Sequence, residues 1–186
     1  MLYRLLLLPL LLVLAACQTT HLERDFDASR DFAAYRSWSW QEPAVQYVPA
    51  DPRLHSDLTT QRVREAVAQE LDQRGLRPAR DNPDLKVQVW MLVEQRQDQV
   101  TTYYGGGAGY WGNPWGFWGG PGYAETSSYN YRVGTLQIDL FDGRDGKLVW
   151  RGSAEQVLPS RSRTPTERRL DIYETVTKVL SQYPPY

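Results

Sequence analysis

Few residues in this chain combine a reactive side chain with the neighbours that catalysis or metal binding requires. The histidines, His21 and His55, are far apart, and neither has a second ligand at metal-binding spacing. No Gly-x-Ser-x-Gly elbow occurs. Residues 107–112 match the GxGxxG pattern, but NPWG follows where dinucleotide binding requires the start of a helix. We therefore expect no cofactor, no metal site and no enzymatic activity, with a hydrolase as the least favoured alternative.

Cys17 has surroundings that indicate one specific modification. It is the only cysteine in 186 residues and closes the sequence LAAC at residues 14–17. The apolar run 5–14 follows Arg4 and would be about 15 Å long as a helix, half of a bilayer's ~30 Å core. Residues 1–16 therefore read as a secretory signal peptide. The LAAC sequence resembles the lipobox of bacterial lipoprotein precursors, which implies acylation of Cys17, with palmitate among the expected chains.

The same resemblance implies an outer-membrane location facing the periplasm. Gln18 follows the cysteine, in place of the aspartate associated with inner-membrane retention in enteric-type bacteria. Residues 17–24 would be a lipidated tether, whose seven residues after the cysteine span at most about 25 Å. The alternative is an ordinary secreted protein, which leaves an unpaired thiol unexplained.

Charge gives no reason to expect a nucleic-acid partner. Without Arg4, the mature chain of 170 residues carries 20 basic and 22 acidic side chains. That length suits one domain, which would bury about 70% of its unfolded surface. We expect this domain over residues 25–186.

The segment 103–123 has the most unusual composition. It contains nine of the 14 glycines and three of the seven tryptophans. Glycine and two prolines disfavour a regular helix or strand, so the segment is predicted to be a loop between strands. It is either a connection without function or a functional loop, as unstructured connections longer than ~15 residues often are. Its candidate binding residues are Tyr103, Tyr104, Tyr110, Trp111, Trp115, Phe117, Trp118 and Tyr123.

Apolar spacing and end signals predict two helices. The first covers residues 57–74, and Gly75 is expected to follow it in a left-handed conformation. The second opens with the capping-box sequence TPTE at residues 164–167. Its core-facing stripe is predicted to be Ile172, Val176, Val179, Leu180 and Tyr183.

Alternation with a period of two predicts strands over residues 84–96 and 129–142, the second followed by a turn and a returning strand. Two short strands are expected around a turn at residues 32–35, with Trp38 and Trp40 packed in the core or on the sheet. Residues 42–56, rich in proline, are predicted to be a loop.

Together these elements predict a two-layer α+β sandwich. Its sheet would be mixed but mostly antiparallel, with about four to five strands, and both helices would cover one face.

Several motifs occur in a recognisable order. They are DFD at 25–27, YRSWSW at 35–40, the helix ending at Gly75, NPDL at 82–85, GTL at 134–136, GKLVWRG at 146–152 and YPP at 183–185. Over nearly the whole mature chain they resemble the bacterial lipoprotein family called domain of unknown function 4136. The family has no assigned activity. The resemblance therefore implies a compartment and a fold but no active residues.

The leading functional hypothesis is a non-catalytic envelope lipoprotein that binds or scaffolds a partner through the loop, because Trp and Tyr are enriched at interface hot spots. The membrane contact would be the N-terminal lipid, and the partner an envelope protein or the cell wall. One alternative places the loop in the membrane interface, where Trp and Tyr rings are enriched. Another is contact with peptidoglycan or another glycan through the aromatic faces.

Overall fold

A computed structural model describes residues 20–52, 55–104 and 123–184 of the chain. These ranges contain two long helices and six strands. Their order is β1 (His21–Phe26), a 3₁₀ turn (Phe32–Ala34), β2 (Ser37–Val48), α1 (Asp57–Gln73), β3 (Arg77–Pro78), β4 (Leu85–Tyr104), β5 (Tyr123–Asp142), β6 (Leu148–Leu158) and α2 (Pro165–Leu180).

The strands form one mixed sheet in the order β1-β6-β5-β4-β2-β3. β2 is parallel to β3 and β4, and the other neighbours are antiparallel. The predicted α+β class, with a mixed sheet and two helices, is confirmed. The predicted count of four to five strands is too low, because the two-residue β3 adds a sixth strand at one edge, beside β2.

Both helices pack on the same face of the sheet, and their buried residues join those of the strands in a single cluster. α1 is buried at Val63, Ala66, Val67 and Leu71, as its apolar spacing predicts. The central strands contribute Leu85, Val87, Val89, Leu136, Ile138 and Leu140, and the second helix contributes Val176, Val179 and Leu180.

The helix ends follow their sequence signals. The Thr164 hydroxyl accepts a hydrogen bond from the Glu167 N–H at 3.2 Å, and the Glu167 carboxylate accepts one from the Thr164 N–H at 2.8 Å. This capping box starts α2 at Pro165. Gly75 has φ +82°, and the Leu76 N–H donates to the Leu71 carbonyl at 3.0 Å. The left-handed end predicted for the first helix is therefore confirmed.

Trp38 is 3% exposed, and its ring meets that of Trp40 edge-on at 5.1 Å. The predicted structural role of these tryptophans is therefore confirmed.

The predicted loop at 42–56 is wrong in its first half, because β2 continues to Val48. Pro43 lies in a bulge between Trp40 and Val45, where the register shifts and the missing N–H needs no ladder partner.

Three other predicted boundaries are also corrected. The strand predicted at 84–96 continues to Tyr104, and the strand predicted from 129 begins at Tyr123. Apolar alternation ends earlier than the strands do, because their outer parts have no helix to pack against. β1 begins at His21, inside the predicted tether 17–24, because its backbone pairs with the edge of β6.

The start of β4 is held by the carboxylate of Asp84. Its Oδ2 accepts hydrogen bonds from the backbone N–H groups of Arg36 and Ser37, each at 3.0 Å, and from the Ser37 hydroxyl at 2.8 Å. These bonds, first of all the one from the Arg36 N–H, lower the pKa of Asp84. The carboxylate thereby joins the first residues of β2 to those of β4.

Asp84→Asn is expected to lower the free energy of unfolding by about 1–2 kcal/mol at pH 7, because hydrogen bonds to a charged acceptor are lost. Since the folded-state pKa of Asp84 lies below its unfolded value of about 3.9, the contribution is complete above that value and disappears as the pH falls through the lowered pKa. Urea melts from pH 7 to pH 2 check this difference. Asp81→Asn, at an exposed neighbour, is the control. A stability gap that stays constant with pH would contradict the assignment.

Candidate functional site

A two-stranded hairpin projects from the sheet. The last residue of β4 that pairs with β2 is Leu92, opposite Val48, and the first residue of β5 that pairs with β6 is Arg132, opposite Leu158. Beyond these points, within the described residues, β4 and β5 pair only with each other, up to Tyr104 opposite Tyr123. We call residues 93–104 and 123–131 the arm. At about 3.4 Å per residue, its longer strand extends roughly 40 Å.

Side chains on one face of the arm are mainly aromatic or charged, and we call this the tyrosine face. The aromatic rings lie on β5 and at the end of β4, with Val100 between them. Tyr104 and Tyr123 stack with ring centroids 5.4 Å apart, while 44% and 66% of their surfaces remain exposed. Tyr129 and Val100 are 58% and 51% exposed. Aromatic surface of this kind is typical of binding sites.

The opposite face carries uncharged polar side chains along most of its length, and we call it the amide face. Gln95, Gln97 and Gln99 follow one another at every second position of β4, opposite Arg132, Asn130 and Ser128. Further out, the hydroxyls of Thr101 and Thr126 are 3.0 Å apart. Tyr103 ends this face and is 81% exposed.

The root of the arm is braced by charged groups. The guanidinium of Arg96 donates to both carboxylate oxygens of Glu155 on β6, at 2.7 and 2.8 Å, and to Glu94 at 3.2 Å. The hydrogen bond from Arg96 lowers the pKa of Glu155. On the same face, the hydrogen bond to Asp98 raises the pKa of the Tyr131 phenol. The brace therefore depends on ionised carboxylates at neutral pH.

The arm and the start of β1 lie at the same end of the sheet. His21, the first residue of β1, lies opposite Glu155. Three residues further along β6, Leu158 lies opposite Arg132 at the arm root. Because β1 is antiparallel to β6, its first residue lies at the end of the sheet from which the arm projects.

The structure brings together only part of the predicted binding set. Tyr103, Tyr104 and Tyr123 lie at the end of the arm, in strands and not in the predicted loop. Tyr110, Trp111, Trp115, Phe117, Trp118 and Cys17 lie outside the described residues. Sequence reasoning missed Val100 and Tyr129. The sequence feature that could have indicated them is that Val, Thr and Tyr, which favour strands, continue beyond the region of apolar alternation.

The residues considered for other chemistry are dispersed. His21 lies 3.7 Å from Glu23, and His55 lies 4.0 Å from Asp57, both at exposed positions. Within the three described ranges, no group of three His, Cys, Asp or Glu residues could hold a metal ion. None of the helices found there is long and apolar enough to span a bilayer.

Comparison with known proteins gives a family and a fold. The family model described as domain of unknown function (DUF4136) matches residues 22–185. No curated protein gives a significant match. A PDZ domain protein from Parabacteroides distasonis is similar in structure, with a TM-score of 0.54 and 15% identity over 90% of this chain. The chain spans 36% of that protein. A PelC dodecamer from Paraburkholderia phytofirmans is similar with a TM-score of 0.45 and 14% identity, covering 88% of this chain and 96% of that one.

Arg96→Gln is expected to loosen the arm without unfolding the domain. Backbone amides of residues 97–104 and 123–131 should exchange about threefold faster with deuterated solvent, because exposed ion pairs contribute modestly. Hydrogen-exchange mass spectrometry measures this. Arg132→Gln is the matched control, since no described group bonds to its side chain. Equal exchange in both variants would contradict the stabilising role assigned to Arg96.

Proposed function

The chain belongs to the family described as domain of unknown function (DUF4136), and from this premise we propose that it is a non-catalytic lipoprotein of the bacterial outer membrane. In this proposal it is anchored on the periplasmic side through Cys17 and binds an envelope partner through the arm. The observation that carries the proposal is the arm itself, a ribbon of roughly 40 Å on which Tyr103, Tyr104, Tyr123 and Tyr129 remain 44–81% exposed.

Several properties of the arm support partner binding. An isolated two-stranded ribbon is only marginally stable in water, so it gains from any surface that covers it. Beyond Leu92 and Arg132, no strand in the described part of the chain pairs with the backbone along either long edge of the arm. Such edges accept an extended segment as an additional strand, while exposed side chains select its sequence. The tyrosines would supply the selective contacts.

The proposed anchor restricts where the partner lies. From Cys17 to Thr20, the first described residue, the chain can span at most about 10 Å. A lipid on Cys17 would therefore hold the arm end of the domain beside the bilayer. Several acyl chains hold a protein firmly to a membrane, whereas one chain binds only marginally.

This placement favours a second candidate function, in which the arm contacts the membrane interface. An arm of roughly 40 Å that leaves the anchored end must run along the bilayer surface or enter its headgroup region. Tyr103, Tyr104 and Tyr123 at its end are of the type enriched at headgroup level.

Photo-crosslinking in intact cells distinguishes the two candidates. A photoreactive amino acid would replace Tyr103, Tyr123 or Tyr129 in turn, with Asp81, at the opposite end of the sheet, as the control position. Partner binding predicts a protein adduct of one discrete mass from the arm positions and none from Asp81. Contact with the interface predicts lipid adducts at the arm positions instead. If a folded, exported protein gives neither adduct, or the same adducts at Asp81, the arm is not the binding surface.

Cys17→Ala tests the anchor. The unmodified chain should fractionate with outer membranes, resist an alkaline wash and show the added mass of its acyl chains. The variant should lose that mass and no longer be processed and anchored as a lipoprotein. Gln18→Asp keeps the cysteine and is expected to move the protein towards the inner-membrane fraction. An intact mass without acyl groups in the unmodified chain would refute the anchor.

A further inference from the structure

A cavity of about 280 Å³ lies between α2 and the sheet, at the root of the arm. Strands β4, β5 and β6 form one wall, and α2 from Arg168 to Lys178 forms the other. The apolar side chains that line it include Met91, Val93, Leu136, Leu158 and Ile172. Its volume is near the lower end of the ~300–1,000 Å³ usual for small-molecule pockets.

The space exists because the helix and the sheet supply too few large side chains at this end. The fully buried residues of α2 begin only at Thr175, so its first ten residues contribute to the core only through the partly buried Ile172 and Tyr173. On the sheet, Gly134 contributes no side chain, and the Leu158 side chain lies directly over it, because a Cβ there would be only 2.8 Å from Leu158 Cδ2. Protein interiors normally leave few voids of this size.

Positively charged side chains outnumber negatively charged ones at the cavity. Arg163, Arg168 and Lys178 line it together with Asp171 and Glu174. Arg163 pairs with Asp171 at 2.9 Å, and Lys178 pairs with Glu174 at 2.7 Å. Arg168 donates its Nε–H to the Arg163 carbonyl at 3.2 Å and has no carboxylate partner among the described residues. One positive charge therefore remains without a counter-charge.

Arg163 also retains an unused hydrogen-bond donor. Its Nε is buried, and no described group accepts from it. A buried donor without an acceptor is costly. The planar guanidinium fork matches the two oxygens of a carboxylate. A carboxylate placed here would accept from Arg163 and balance the charge of Arg168.

From the apolar wall, the excess positive charge and the free donor, we propose that this cavity binds a medium-chain fatty acid. The chain lies against Met91, Val93 and Ile172, and the carboxylate lies at Arg163 and Arg168. Because a cavity of ~150 Å³ holds the six carbons of benzene, this cavity accommodates roughly eleven carbons. That volume matches one acyl chain better than the two chains of a phospholipid.

A photoreactive dodecanoate tests the site on the full chain in nanodiscs of phosphatidylcholine. After irradiation, peptide mapping should place the adduct on the cavity strands and on residues 168–175. Unlabelled dodecanoate should compete, and dodecyltrimethylammonium, with the same chain and a positive head, should not. Adducts spread over the whole surface, or equal competition by the cation, would overturn the proposal.

Two variants test separately the part of the cavity that holds the acyl chain and the part that binds the carboxylate. Val93→Phe fills the cavity and should abolish the mapped adduct, whereas Arg163→Gln should raise the half-maximal probe concentration about tenfold, since a charge-assisted hydrogen bond is lost. Arg169→Gln removes a neighbouring exposed charge that does not line the cavity, and labelling should be unchanged. Thermal melts establish that each variant is folded. Arg163→Gln removes no buried apolar side chain, so it tests the proposal even if Val93→Phe does not fold. Unchanged labelling in folded Arg163→Gln would refute the proposed binding of the carboxylate at Arg163.

Discussion

The structure depends on the backbone ladder between β4 and β5, which runs without interruption from Leu85 opposite Asp142 to Tyr104 opposite Tyr123. Its inner half is flanked by β2 and β6 and covered by both helices. There, burial of each Val, Leu or Ile side chain contributes about 1.5–3 kcal/mol. Its outer half has only cross-strand pairs, worth about 0.2–1 kcal/mol each. The arm is therefore ordered because its root is buried, and its stability decreases with distance from the helices.

The register of this ladder is fixed at the end opposite the arm. A slip of one residue would turn every core side chain towards solvent. Asp84 holds the start of β4 against Arg36 and Ser37, while Asp142 accepts from the Tyr35 hydroxyl at 3.0 Å and from Arg30 at 3.2 Å. Carboxylates from two neighbouring strands thus bind the same N-terminal turn. Because this distant contact fixes the register of the ladder, it also determines which side chains lie on the tyrosine face of the arm and which lie on the amide face.

Sequence reasoning succeeded where the signal was local. Thr164 with Glu167, and Gly75 with Leu76, fixed helix ends because a cap needs only a few neighbouring residues. It failed at strand ends, since a strand held by one partner can be polar on both faces and then shows no apolar alternation. For the same reason the candidate site was predicted only at its aromatic end. Tyr129 and Val100 become recognisable as surface residues once the pairing of β5 with β4 is known.

The cavity and the arm share residues, and this makes their proposed roles dependent on each other. Val93 lies in the first position of the arm and in the cavity wall, and Gly134, its partner across the ladder, lines the same space. An acyl chain in the cavity would fill the gap beneath the arm root and extend the packed core by one layer. Ordering the root lowers the entropy that a partner must remove when it binds the arm. Lys178 at the cavity rim donates a hydrogen bond to the Thr20 hydroxyl at 3.3 Å, so the first described residue of the chain meets the same region. Within the described residues, the start of the chain, the core and the arm therefore meet at this cavity.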